Sequence, residues 1–175
     1  MPAPRRRPER CIAPLAVAAL LASCTSGSEP STYQSPRGAD RSIVRMTTEI
    51  TLDGRRALRV ESDSAFFRTG SSTMTLVGLR ASMFAPTGVE AVTIEADSGA
   101  LETDTQRLTA LGAVIARAGG SGVTVRTTEL VFDPSTGRLT SDSTTVVERG
   151  GSTERGPCFE GNALLTEWSL CGGSP

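Results

Sequence analysis

The sequence predicts an all-β protein built as a stack of hairpins, and three observations carry that expectation. A two-strand unit is written three times and begun a fourth time. Short runs rich in Val, Thr and Ile alternate apolar with polar residues. Turn residues separate those runs at short, regular spacing, the pattern of a sandwich, barrel or roll.

The copies open on Val60-Glu61-Ser62-Asp63-Ser64-Ala65-Phe66-Phe67, Ile94-Glu95-Ala96-Asp97-Ser98-Gly99-Ala100-Leu101 and Val125-Arg126-Thr127-Thr128-Glu129-Leu130-Val131-Phe132. Each passes through a polar turn: Thr69-Gly70-Ser71, Thr103-Asp104-Thr105, and Pro134-Ser135-Thr136-Gly137. Each restarts on an apolar residue and threonine: Met74-Thr75, Leu108-Thr109, Leu139-Thr140. Each closes at a second turn: Pro86-Thr87-Gly88, Gly119-Gly120-Ser121-Gly122, Gly150-Gly151. The step is 34 residues from Asp63 to Asp97 and 31 from Leu108 to Leu139. Units of this size stack, because neighbours bury what one unit cannot bury alone.

Within the copies, Leu58 and Val60 alternate with Arg59 and Glu61, and Val123 and Val125 with Thr124 and Arg126. Asp133-Pro134-Ser135-Thr136-Gly137 is the strongest turn: proline presets one central residue and glycine accepts a positive φ. The fourth copy, Phe159-Glu160-Gly161-Asn162-Ala163-Leu164-Leu165, is cut short by Trp168-Ser169-Leu170, as a terminal cap would be. No segment after residue 24 needs to be a helix.

The 175 residues suit one folded domain. The net charge of -1 is a composite. Arg5, Arg6, Arg7 and Arg10 face only Glu9 at the start, leaving 14 basic against 18 acidic residues from position 24 onward. That balance argues against a nucleic-acid partner. Histidine is absent, and with it the usual neutral-pH base and metal ligand. No cofactor and no catalytic centre are expected.

Residues 1–23 read as a signal peptide: an arginine-rich start, then an apolar stretch from Ile12 to Ala22 too short to span a bilayer. Leu21-Ala22-Ser23-Cys24 resembles a bacterial lipoprotein signal, which implies cleavage before Cys24 and acylation of that residue. An ordinary secretory signal is the alternative, and either one puts the mature chain outside the cytoplasm. Residues 24–45, rich in Ser, Pro and Gly at their start, are expected to be a tether, with the folded domain at 46–175. Cys11 leaves with the signal and Cys24 takes lipid, so Cys158 and Cys171 remain as a pair. An oxidising compartment favours a disulfide between them. Zinc is the weaker reading, since no histidine completes a ligand set.

The stretch Val123 to Asp142, with the copy from Glu95 to Val114, resembles the periplasmic lipopolysaccharide-export proteins of the LptC type and the related LptA/OstA family. The resemblance covers about residues 55–170 and rests on apolar, turn and glycine positions rather than a catalytic signature. It implies an open antiparallel β-jellyroll, two sheets in a V whose inside holds the acyl chains of lipopolysaccharide. It also implies strand addition to an inner-membrane ABC transporter at one edge and to an LptA-like periplasmic bridge at the other. The lipoprotein signal departs from the transmembrane helix familiar in LptC proteins and points to a lipid-anchored periplasmic protein, at the inner membrane.

The expected lining of the groove is Val60, Phe67, Leu76, Ile94, Leu101, Leu108, Val125, Phe132, Leu139, Phe159 and Trp168. The same residues would equally fill a dry core, and an aromatic content of 4% favours an interior short of bulk. A scaffold that never holds lipid and an end-to-end bridge are the competing functions. Three other patterns carry less. Asp97-Ser98-Gly99 imitates an aspartic-protease triplet but has no second copy to share a proton. Glu95, Asp97, Glu102 and Asp104 lack a calcium-loop spacing. Arg55, Arg56 and Arg59 are suited to lipid phosphates, with ordinary surface charge as the simpler account.

Overall fold

The computed structural model describes residues 38–172, which form eleven strands and no helix. The strands are β1 (Arg41–Leu52), β2 (Arg55–Phe67), β3 (Thr73–Phe84), β4 (Glu90–Glu102), β5 (Leu108–Ala118), β6 (Val123–Asp133), β7 (Arg138–Ser141), β8 (Thr145–Arg149), β9 (Ser152–Gly156), β10 (Phe159–Asn162) and β11 (Trp168–Leu170). All pairs are antiparallel, in the order β1-β2-β3-β4-β5-β6-β7-β10-β11, with β8 pairing β6 and β9. The protein is thus an open antiparallel jellyroll, and each repeat is one pair of neighbouring strands. The expected signal residues 1–23, the expected lipidation site Cys24 and the expected tether as far as residue 37 lie outside the described residues.

The first strand starts earlier than expected. Residues 41–45, assigned to the tether by composition, belong to β1. They are strand because β2 runs on to Phe67 and offers them partners: Arg41 lies opposite Phe67 and Ile43 opposite Ala65. Asp40 fixes the approach, accepting the Thr69 N–H at 2.5 Å while its own N–H donates to Phe67 O at 2.9 Å.

A crease crosses the sheet. Arg45, Asp63, Gly78 and Asp97 stand side by side on β1 to β4, and ladder pairing skips all four. On β5 the line passes through Gly112, where the register slips against both β4 and β6. Between β7 and β8 it becomes a complete break at residues 142–144. Arg45, Gly78 and Gly112 have φ of 54°, 64° and 97°, so the backbone turns where ordinary pleating would run straight.

Turning the backbone changes which side chains point inward. On β2 the buried inward positions are Leu58, Val60 and Ser62 before the crease, then Ala65 after it. On β3 they are Leu76 and then Leu79; on β5, Ala110 and then Val114. A sheet with no helix to cover it can bury such positions only against itself. We call the part holding Val60, Ala81, Ile94, Val125 and Val147 half-sheet I. Half-sheet II holds Leu76, Leu101, Leu108, Phe132, Leu139 and Phe159. One hydrophobic cluster contains both sets. Each fully buried Leu, Val or Phe in it contributes about 1.5–3 kcal/mol relative to exposure.

Candidate lipid groove

The repeat places equivalent residues in rows across the strands. Val60, Ala81, Ile94, Ala116, Val125 and Val147 are successive cross-strand partners on half-sheet I. Leu101, Leu108, Phe132 and Leu139 continue in the same way on half-sheet II, where Gly161 then faces Trp168. The two rows form one continuous apolar stripe. Nine of the eleven expected lining residues are buried, from 0% exposure at Val60, Leu76, Val125 and Leu139 to 5% at Leu101. Phe67 and Trp168 are half-buried and pack against the same cluster. The interior is therefore filled by its own side chains over most of its length.

Its inward row reaches the surface at the β1 edge. Ile43 shares the inward row of half-sheet II through its partner Ala65, yet it is 45% exposed. A cleft of about 720 Å³ lies there, lined by Arg41, Ile43, Phe67, Arg68 and the turn Thr69-Gly70-Ser71. At the other end the strand tips meet. The β10–β11 turn hydrogen-bonds the β6–β7 turn through Ala163 N–H to Gly137 O at 2.9 Å. Ser121 Oγ, from the β5–β6 turn at the tip of half-sheet I, donates to Leu165 O at 3.2 Å. Just beyond, the structure joins Cys158 to Cys171, with Cα atoms 5.1 Å apart.

The two sheet edges differ. Among the described residues β1 offers 12 residues without an outer partner, whereas the far side splits into β9 with five residues and β11 with three. An unpaired strand presents free N–H and C=O groups to an incoming strand. Val44, 71% exposed, stands in that edge.

The outer faces are polar and internally compensated. Glu95 bridges Arg80 at 2.5 Å and Arg117 at 2.8 Å, and the Arg117 hydrogen bond, foremost, holds its carboxyl below the usual range. Arg56 and Arg59 share Glu49, and Arg56 sits 3.9 Å above the Phe84 ring. Glu49 thus answers one of their two charges within the fold, and Arg55 is exposed. Glu102 accepts from Thr105 Oγ1 at 2.6 Å and Asp104 caps Thr105 N–H at 2.9 Å, so both serve one turn. Asp97 serves the crease, accepting the Ala113 N–H at 2.9 Å.

The family described as "Lipopolysaccharide-assembly, LptC-related" matches residues 14–172 of the chain. The chain belongs to the LptC family. Its members serve lipopolysaccharide transport, are periplasmic and membrane-associated, and are transport proteins rather than enzymes. No curated protein matches the chain.

Two structural elements of the candidate site escaped sequence reasoning. Ile43 was hidden by the polar tether before it, although Ser42-Ile43-Val44 between Arg41 and Arg45 has the β-branched core of an edge strand. The crease was hidden because it lies in the pairing between strands. Its signal is the identical interval from Asp63 to Gly78 and from Asp97 to Gly112.

Proposed function

We propose that the chain takes lipopolysaccharide from an inner-membrane ABC transporter and passes it along its apolar interior to an LptA-like periplasmic bridge. A diacyl anchor on Cys24 holds it at the membrane, since two lipid chains give stable attachment where one is marginal. The residues from Val60 to Trp168 named above act as the path for the acyl chains. No bond is made or broken here; graded apolar contact suffices, and an ATPase elsewhere supplies the energy. The transporter and the bridge dock by strand addition, one at β1 and one at the β9/β11 side.

The observation that carries this reading is Ile43. It extends the buried stripe to the surface beside a cleft of about 720 Å³, giving the apolar interior an opening. A scaffold that binds protein alone is the second reading, favoured by the complete burial of Val60, Leu76, Val125 and Leu139.

Photocrosslinking in cells tests the proposal, with a reactive amino acid at Ile43 and at Phe132 and an outward control at Arg138. Lipopolysaccharide adducts at Ile43 and Phe132, absent at Arg138, support transport. Adducts to protein alone, with the chain folded and lipidated, move the assignment to the scaffold.

A further inference from the structure

Leu165 has the buried side chain of a core residue and the backbone of a turn. It is 0% exposed, yet its φ is 53°, a left-handed conformation unfavourable for leucine. It projects from the five-residue connection between β10 and β11 into the cluster shared by both half-sheets. That connection starts on half-sheet II, at Gly137 O, and reaches half-sheet I through the Ser121 hydroxyl.

The parts around it are unequal in rigidity. Asn162 braces the turn from within, its Oδ1 accepting Thr166 N–H at 3.0 Å and its Nδ2 donating to Thr166 Oγ1 at 2.7 Å. Its base is stapled by Cys158–Cys171, where Cys171 N–H also donates to Cys158 O at 3.2 Å. The opposing catch is Ser121 within Gly119-Gly120-Ser121-Gly122, and a side chain added at any of those three glycines would meet nothing within 4 Å. A braced flap thus meets a loosely surrounded glycine turn through one neutral hydrogen bond.

We propose that the β10–β11 turn is a lid on the apolar interior and that Leu165 is its plug, occupying the place an acyl chain takes. The inference rests on the lipid-carrier reading above and adds the point of entry. Lifting the turn releases Ser121, withdraws Leu165 from the cluster and opens the side of the jellyroll opposite the crease. The left-handed backbone at Leu165 favours release, and the disulfide keeps β10 and β11 together while the turn moves.

The test uses the complete mature chain and dye-labelled lipid A, followed by stopped-flow fluorescence. Ser121→Ala removes the catch without touching the core. It is expected to speed association about fivefold, the effect of deleting one neutral hydrogen bond from the closed state. Leu165→Ala, if it folds, is expected to speed association further. Hydrogen exchange on the wild-type chain gives an independent readout: added lipid A speeds exchange at 163–166 and slows it in β3 to β6. Binding at the same rate by all three chains, with exchange at 163–166 unchanged, overturns the lid and leaves the carrier reading standing. No binding by the wild-type chain overturns both.

Discussion

The carboxylate of Asp97 on β4 receives the backbone N–H of Ala113 on β5 at 2.9 Å, where both strands cross the crease. The neighbouring Gly112 has φ of 97°, and a Cβ there would lie 2.4 Å from Asp97 Oδ2. Asp63 stands in the same relation to Gly78, with the corresponding distance 2.2 Å. The first two copies of the repeat therefore each carry one aspartate–glycine contact, and the contact marks where the sheet folds.

Gly112→Ala is expected to destabilise the fold by about 2–4 kcal/mol, combining backbone strain with the clash. Urea unfolding measures it. Adding Asp97→Ala removes the nearest atom but leaves the Asp97 Cβ 2.8 Å from the new side chain and the Ala113 N–H without its acceptor, so the double variant should recover only part of the loss. Gly120→Ala, with open space around it, serves as the control.

Ser62 lies on the inward face of β2, 6% exposed, with its hydroxyl buried and without a hydrogen-bond partner among the described residues. An unsatisfied buried hydroxyl costs about 1–3 kcal/mol. Ser62→Ala is accordingly expected to raise stability by about 1 kcal/mol, seen as a higher urea midpoint with an unchanged slope. A fall in the midpoint would mean that the hydroxyl is paired in solution.

Asp133 heads the β6–β7 turn, accepting Ser135 Oγ at 2.6 Å and Ser135 N–H at 2.9 Å, and pairing with Arg107 at 2.6 Å. The Ser135 hydroxyl, then Arg107, pull its pKa from 3.8 down to about 2. A depressed carboxylate stabilises the fold above its unfolded pKa and loses that contribution as pH falls through the folded one. The melting-temperature gap between wild type and Asp133→Asn should thus be full above pH ~4 and close toward pH ~2.

Cys158 and Cys171 are 13 residues apart. Replacing both with serine should cost about 3 kcal/mol in the chain-entropy model. Calorimetry of the oxidised, reduced and doubly substituted chains checks it, and equal melting points for all three would contradict it.

At the β1 edge, Val44→Lys should change unfolding by less than about 0.5 kcal/mol, since Val44 is 71% exposed. A lysine in an unpaired edge discourages an incoming strand. Coprecipitation of the partner docked at β1 should therefore be lost, while the partner at the opposite edge is retained.

Much of this architecture was legible in the sequence because a period of two reports a buried sheet face directly. Val60, Ile94 and Val125 were aligned by the repeat alone and do occupy one row. The turn at Asp133 to Gly137 was legible for the same local reason, its residues setting their own backbone. The crease was not, because it lies in pairing between strands rather than in the pattern along any one of them. A half-burial signal cannot show that Leu76 and Leu79 both face inward when their spacing breaks alternation. Leu165 was equally hidden: in the turn Ala163-Leu164-Leu165, sequence gives no sign of which leucine points at the core.

The repeat also sets a unit of length. Nine strands lie along the main path of the sheet, which at ~4.8 Å per strand spans about 38 Å. Removing the residues from Ser64 to Asp97 would rejoin Asp63 to Ser98, two equivalent points on the crease. It would shorten the path by two strands, about 10 Å, and leave the inward faces aligned. The reach of this molecule is thus adjustable by a whole step, and the carboxylate–glycine contacts of the first two units mark where that step begins and ends.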